Sequence, residues 1–281
     1  MALGYNAGTG AIVPDRRAAG NRRRMKELRM RLKNKIAIVT GAGSGFGEGI
    51  AKRFAQEGAR VLVNDVNATA GERVAQEIRT AGGAAKFCKA DVARDAEVAA
   101  MVRDALDAFG GLDILVNNAG TTHRRKPLLE VSEADFDKVY ATNVKSLYLT
   151  ARHAVPHFRQ RGGGAIIIIA STAGVRPRPG LTWYNGSKGA AIIIGKSMAA
   201  ELGPDRIRVN MINPVIGETG LTSEFMGVPD TPENRKSFLA TIPLGRFSTP
   251  RDVANAALFL ASDEADMITG ACLEVDGGRC V

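Results

Sequence analysis

With 281 residues, 45% of them hydrophobic, the chain is long enough for one large α/β domain with a substantial core. No composition break divides it, and no apolar run reaches membrane-spanning length; the longest, Ala165 to Ala170, is strand-sized. The net charge of +9 would fit a nucleic-acid binder, but residues 1–35 hold ten bases against two acids, or +8, which leaves the rest near +1 and argues against that class.

Residues 1–30 are rich in Gly, Ala, Asn and Arg, with little apolar periodicity, and are expected to be a mobile basic tail outside a single domain over 31–281. They lack the apolar stretch of a secretory signal, and the absence of serine speaks against a transit peptide. Met25 or Met30 is a candidate for the natural start, and nucleic-acid binding rests on this segment alone.

From there strands and helices alternate. Strands are expected at 35–40, 60–65, 84–90, 112–117, 164–171, 206–212 and 271–275. Helices are expected near 46–57, 69–81, 95–109, 132–160, 182–203 and 250–261. This rhythm predicts an α/β fold: a Rossmann-like doubly wound parallel sheet of about seven strands with helices on both faces. Ligands on such sheets bind beyond the carboxyl ends of the strands.

The first strand runs into Gly41-Ala42-Gly43-Ser44-Gly45-Phe46-Gly47 and then into a helix. Glycines there let the backbone approach a pyrophosphate, and the helix N-terminus offers free N–H groups. The next strand ends on Asp65, placed to accept from an adenosine ribose. A carboxylate there repels a 2′-phosphate, and Val66, Asn67 and Ala68 supply no cation, so the expected cofactor is NAD rather than NADP.

Tyr184-Asn185-Gly186-Ser187-Lys188 places a phenol and an ammonium at i and i+4 on one helix face. A nearby lysine favours the phenolate, and a phenol so tuned can exchange a proton with an alcohol or ketone. Cys88, Cys272 and Cys280 are odd in number and lack metal spacing, which suits a reducing cytosol; the location expected is cytoplasmic. His123, His153 and His157 have no third ligand beside them, and no metal is expected.

Taken together the motifs resemble the short-chain dehydrogenase/reductase family over residues 32–281. Thr40 to Gly47, Asp91-Val92, Asn117-Asn118-Ala119-Gly120, Asn143, Ser171, the Tyr184 to Lys188 run, Asn213-Pro214 and Val275-Asp276-Gly277-Gly278 stand in family order. The resemblance implies Tyr184 as acid/base, Ser171 on the substrate oxygen, Lys188 lowering the Tyr184 pKa and holding the nicotinamide ribose, and Asn143 holding a relay water within a long helix. It implies cofactor contacts from Gly41, Ser44, Gly45, Phe46, Gly47, Asp65, Asp91, Val92, Asn118, Ala119, Gly120, Pro214, Ile216 and Thr219, besides Tyr184 and Lys188. It also implies a homotetramer. One departure stands out: where the family has glycine after Asn-Pro, this chain has Val215, with glycine displaced to Gly217.

The substrate is expected between the loop 121–127 and a short amphipathic lid within 220–247. Arg124, Arg125, Lys126, Arg176 and Arg178 are candidates for reading an anionic substrate, with Arg176 favoured. The leading function is NAD(H)-dependent interconversion of a secondary alcohol and a ketone on a sugar, polyol or hydroxy acid. The alternative is a 3-oxoacyl-[acyl-carrier-protein] reductase using NADPH. A non-catalytic nucleotide-sensing scaffold fits poorly with intact Asn143, Ser171, Tyr184 and Lys188.

Overall fold

The computed structural model describes residues 3–5, 12–14 and 30–281. Two short strands, β1 (Leu3–Tyr5) and β2 (Ile12–Pro14), pair antiparallel as a separate sheet. The rest of the segment expected to be a mobile tail lies outside the described residues.

The main sheet is parallel and has seven strands: β3 (Ile36–Val39), β4 (Arg60–Asp65), β5 (Ala84–Lys89), β6 (Ile114–Asn117), β7 (Gly164–Ile169), β8 (Ile207–Pro214) and β9 (Cys272–Val275). Their order is β5-β4-β3-β6-β7-β8-β9. Successive side chains of a strand point to opposite faces, and a sheet covered on both sides needs both sets apolar. Ala37, Val39, Val61, Val63, Ile167 and Ile169 accordingly face α1 (Gly45–Gln56), α2 (Ala68–Thr80) and α9 (Pro250–Ala261). Ile38, Leu62, Ile166 and Ile168 face α3 (Asp95–Phe109), α5 (Ser146–Arg161) and α6 (Thr182–Leu202). Phe54 of α1 and Phe158 of α5 are fully buried in these two layers. Each contributes about 2–3 kcal/mol by leaving water. No described helix is long and apolar enough to cross a membrane.

Two expectations are corrected. The helix expected over 132–160 is three pieces: α4 (Glu133–Tyr140), a π-helical turn over Ala141–Lys145, and α5. The wide turn adds a residue to the helical repeat, and such insertions gather at functional sites. It carries Asn143 inward, to 4% exposure. The segment expected as one short lid holds two helices, α7 (Thr222–Met226) and α8 (Pro232–Leu239), with Met226 buried against Val215, Ile216 and Phe247.

Candidate active site

The sheet changes winding direction between β3 and β6, where a crevice opens beyond the strand ends. A cleft of about 780 Å³ lies there, walled by residues that follow β3, β4, β6, β7 and β8.

At one end is the glycine turn. Gly41 and Gly45 have φ of +60° and +57°, a region that side chains disfavour. Gly41, Ser44, Gly45 and Phe46 line the cleft. Gly47 lies behind them, where a Cβ would run into the Gly41 carbonyl and Asn118 Nδ2. Ser44 caps α1 without using its side chain, so the first-turn N–H groups stay available to an anion. Asp65 holds the turn in place: Oδ2 accepts from Gly43 N and Oδ1 from Asn67 N, each at 2.8 Å. Arg73 approaches the same corner, donating to the Gly43 carbonyl at 3.0 Å, but Glu48 and Glu77 pair with it at 2.7 and 2.8 Å. Open backbone, free helix N–H groups and a rim carboxylate together fit a dinucleotide.

The floor is built by β6. Thr40, whose role the sequence left unassigned, donates to the Val116 carbonyl and accepts from the N–H groups of Asn118 and Ala119 at 3.0 Å. Asn118 Nδ2 returns bonds to the Thr40 and Gly41 carbonyls. This lattice fixes Asn118, Ala119 and Gly120 along the cleft, with Asp91 and Val92 opposite. Asp91 accepts from Ala93 N at 2.9 Å, while the residue capping α3 is Arg94.

At the other end Ser171 follows β7, and Tyr184 and Lys188 project from α6. Tyr184 is 6% and Lys188 7% exposed. Lys188 Nζ donates to the Ile169 carbonyl at 2.9 Å and stands 5.9 Å from the Tyr184 ring centroid. Burial holds Lys188 down to about 8. Burial pushes the Tyr184 phenol up to about 12, opposed by a hydrogen bond with Ser171 and by the charge of Arg178. The net direction is upward, against the lowered phenol expected from the sequence, because desolvation of the phenolate outweighs the hydrogen bond and charge that oppose it.

Asn143 lies behind this group. Its Nδ2 donates to the Thr121 carbonyl and to Ser187 Oγ, and its Oδ1 accepts from Thr121 N at 2.8 Å. Both ends of the side chain engage protein groups. Gly120 lies beside this group: a Cβ there would sit 3.4 Å from both Asn143 Oδ1 and Lys188 Nζ, at contact distance.

The remaining wall is Pro214, Ile216 and Thr219. The displaced Gly217 has a packing use, because a Cβ would enter the Phe46 ring. Its backbone bridges to Ser248.

A family model described as enoyl-(acyl carrier protein) reductase matches residues 41–279. The chain belongs to the short-chain dehydrogenase/reductase family. It is 54% identical to a 4-formylbenzenesulfonate dehydrogenase of Comamonas testosteroni, across 89% of this chain and 99% of that one. Its fold is similar to a 3-ketoacyl-(acyl-carrier-protein) reductase from Brucella melitensis complexed with NADH: TM-score 0.84, 46% identity, 89% of this chain and 100% of that one. It is similar too to a 7α-hydroxysteroid dehydrogenase complexed with NADH and 7-oxoglycochenodeoxycholic acid: TM-score 0.84, 40% identity, 89% and 95% covered. The protein is thus an oxidoreductase that works with a nicotinamide cofactor.

On the substrate side of this short-chain dehydrogenase/reductase, Ala173, Leu181 and Phe225 pack around Tyr184, with the Phe225 ring 5.1 Å from the phenol ring. The favoured anion reader, Arg176, is exposed, donates to the Arg279 carbonyl, and is absent from the cleft wall. Arg178, two residues on, lines it. The sequence named both; loop conformation alone separates them.

Proposed function

We propose that the protein uses NAD(H) to interconvert a small secondary alcohol and its ketone, with Tyr184 as the acid/base. The observation that carries this is the meeting of Ser171, Tyr184 and Lys188 with the glycine turn and Asp65 in one cleft. NAD supplies the hydride acceptor and NADH the donor when bound. Gly41 to Phe46 hold the diphosphate, Asp65 the adenosine ribose, Asp91 and Val92 the adenine, and Thr219 and Ile216 the nicotinamide side. Tyr184 exchanges a proton with the substrate oxygen, Ser171 donates to that oxygen, and Lys188 holds the nicotinamide ribose while placing positive charge beside the phenol. Asn143 acts as a positioning residue, tying Thr121 and Ser187 behind the site. The apolar wall of Ala173, Leu181 and Phe225 suits an apolar or aromatic body better than a sugar or polyol. The 54% identical relative, named for an aromatic aldehyde, supports a small-molecule dehydrogenase and extends the candidates to aldehydes.

A carrier-protein reductase using NADPH is the second reading, supported by the 46% identical structure. Asp65 opposes a 2′-phosphate, and Arg73, which reaches the same corner, is matched by Glu48 and Glu77. Titrating the protein with NADH and NADPH by nicotinamide fluorescence tests the choice. Tighter NADH binding is expected; tighter NADPH binding would move the reductase to first place. We also propose a homo-oligomer, which light scattering after size exclusion would test; a monomer at micromolar concentration refutes it.

A further inference from the structure

The substrate end of the cleft holds a positive charge that no carboxylate among the described residues matches. Arg178 lines the wall with Tyr184 and Leu181. Its carbonyl accepts from Asn185 Nδ2 at 2.9 Å, and the next carbonyl, of Pro179, accepts from Arg125 Nε at 3.1 Å. These bonds clamp the loop to α6 and to the 121–127 segment. The guanidinium lies over the Phe238 ring of α8, 5.6 Å from its centroid. That stacking steadies the guanidinium plane and leaves its N–H edges for a ligand. Nη2 is buried without a hydrogen-bond partner, and so is Nε of Arg279, a residue only 8% exposed. The charges acting on Arg178 are Arg279 and Arg125, both of like sign; Tyr184 and Cys280 are the acids beside it. Burial and then those two cations pull Arg178 down to about 10.

A buried cation with like-charged neighbours and an idle N–H is unfavourable until an anion arrives. A carboxylate or sulfonate presents two oxygens to a guanidinium edge and relieves both deficits. We propose that Arg178, backed by Arg279, is a specificity-determining residue that binds a carboxylate or sulfonate on the substrate. The substrate class is then a small anionic alcohol or carbonyl compound whose apolar body rests against Leu181 and Phe225. This rests on the nicotinamide-dependent reading of the same cleft.

The test is calorimetric titration of the NADH-saturated enzyme with benzenesulfonate and benzoate, against uncharged benzenesulfonamide and benzamide. Both anions are expected to bind at least about tenfold tighter than their amides, as charge-assisted hydrogen bonds allow. Arg178→Gln should lose about tenfold or more for the anions and leave the amides within about threefold, while Arg178→Lys recovers part of the loss. NADH affinity should be the same in all three proteins, which a merely structural role at the Phe238 contact does not predict. Wild-type protein showing no preference for anions, including no binding of either kind, overturns the proposal, as does unchanged anion affinity in Arg178→Gln. Failure of wild-type protein to bind NADH would instead sink the nicotinamide reading, so the two failures are told apart.

Discussion

Replacing Lys188 with methionine should make the cofactor-free protein more stable while removing most of its activity. Lys188 is buried, and burial holds it at about 8 against an ordinary 10.5. Below pH 8 both folded and unfolded chains keep the proton, so the folded state carries the full cost of a buried charge, about 3 kcal/mol at 1.36 kcal/mol per pKa unit. Between pH 8 and 10.5 the folded state sheds its proton first, and the cost fades. Methionine fills a similar volume without charge but orphans the Ile169 carbonyl, now bonded at 2.9 Å, which costs about 1–2 kcal/mol. The net gain at pH 7 is about 1–2 kcal/mol, or about 2–4 °C in Tm. By pH 10.5 it should have reversed, since the orphaned carbonyl remains and the charge penalty is gone. Urea unfolding of both proteins at pH 7 and pH 10 reads this directly, alongside turnover, expected to fall about a hundredfold or more. A methionine variant less stable than wild type at pH 7, or a difference unchanged with pH, would refute the reasoning. The trade is of a familiar kind, in which an active-site group is retained at a cost in stability.

Tyr184→Phe should lower turnover by about 10²–10⁴ with NADH affinity unchanged; residual activity within about threefold of wild type would remove Tyr184 from its role. With the phenol up at about 12, its ionised fraction grows about tenfold per pH unit across the neutral range. Alcohol oxidation by the wild type should therefore rise from pH 7 to 9, and a flat profile would count against the phenol as base. In Gly47→Ala the new methyl meets the Gly41 carbonyl and Asn118 Nδ2, so the turn must shift. Thermal unfolding should show a loss of about 1–3 kcal/mol, with NADH binding at least about tenfold weaker. Asp65→Ser removes the rim carboxylate, and the ratio of NADPH to NADH affinity should climb about tenfold or more; an unchanged ratio would mean selectivity lies elsewhere.

Much of this protein is legible in one dimension, because its signals are local. The sheet needed only apolar runs of strand length, such as Ile166 to Ile169, and helices bounded by glycines such as Gly110 and Gly162, which end α3 and α5 in the left-handed region. The nucleotide end needed Gly41 to Gly47 and an acid at a strand terminus, and the reactive end a tyrosine and lysine one helical turn apart. Each rests on spacing within a single element, which backbone geometry converts into position. What spacing does not carry is the outcome of packing between distant segments. Asn143, on the π turn, bonds to Thr121 and Ser187, residues 22 and 44 positions away. The use of Gly217 depends on the Phe46 ring, far off in sequence. The pKa of Tyr184 is set by how completely the cleft closes over it, so a lysine at i+4 could not foretell its direction. The choice between Arg176 and Arg178 turned on which way a loop faces once Asn185, Arg125 and Phe238 hold it. Sequence alone determined the fold and the chemical groups at hand; tertiary structure decided their burial and partners, because desolvation and contact belong to the assembled cleft and not to any one stretch of chain.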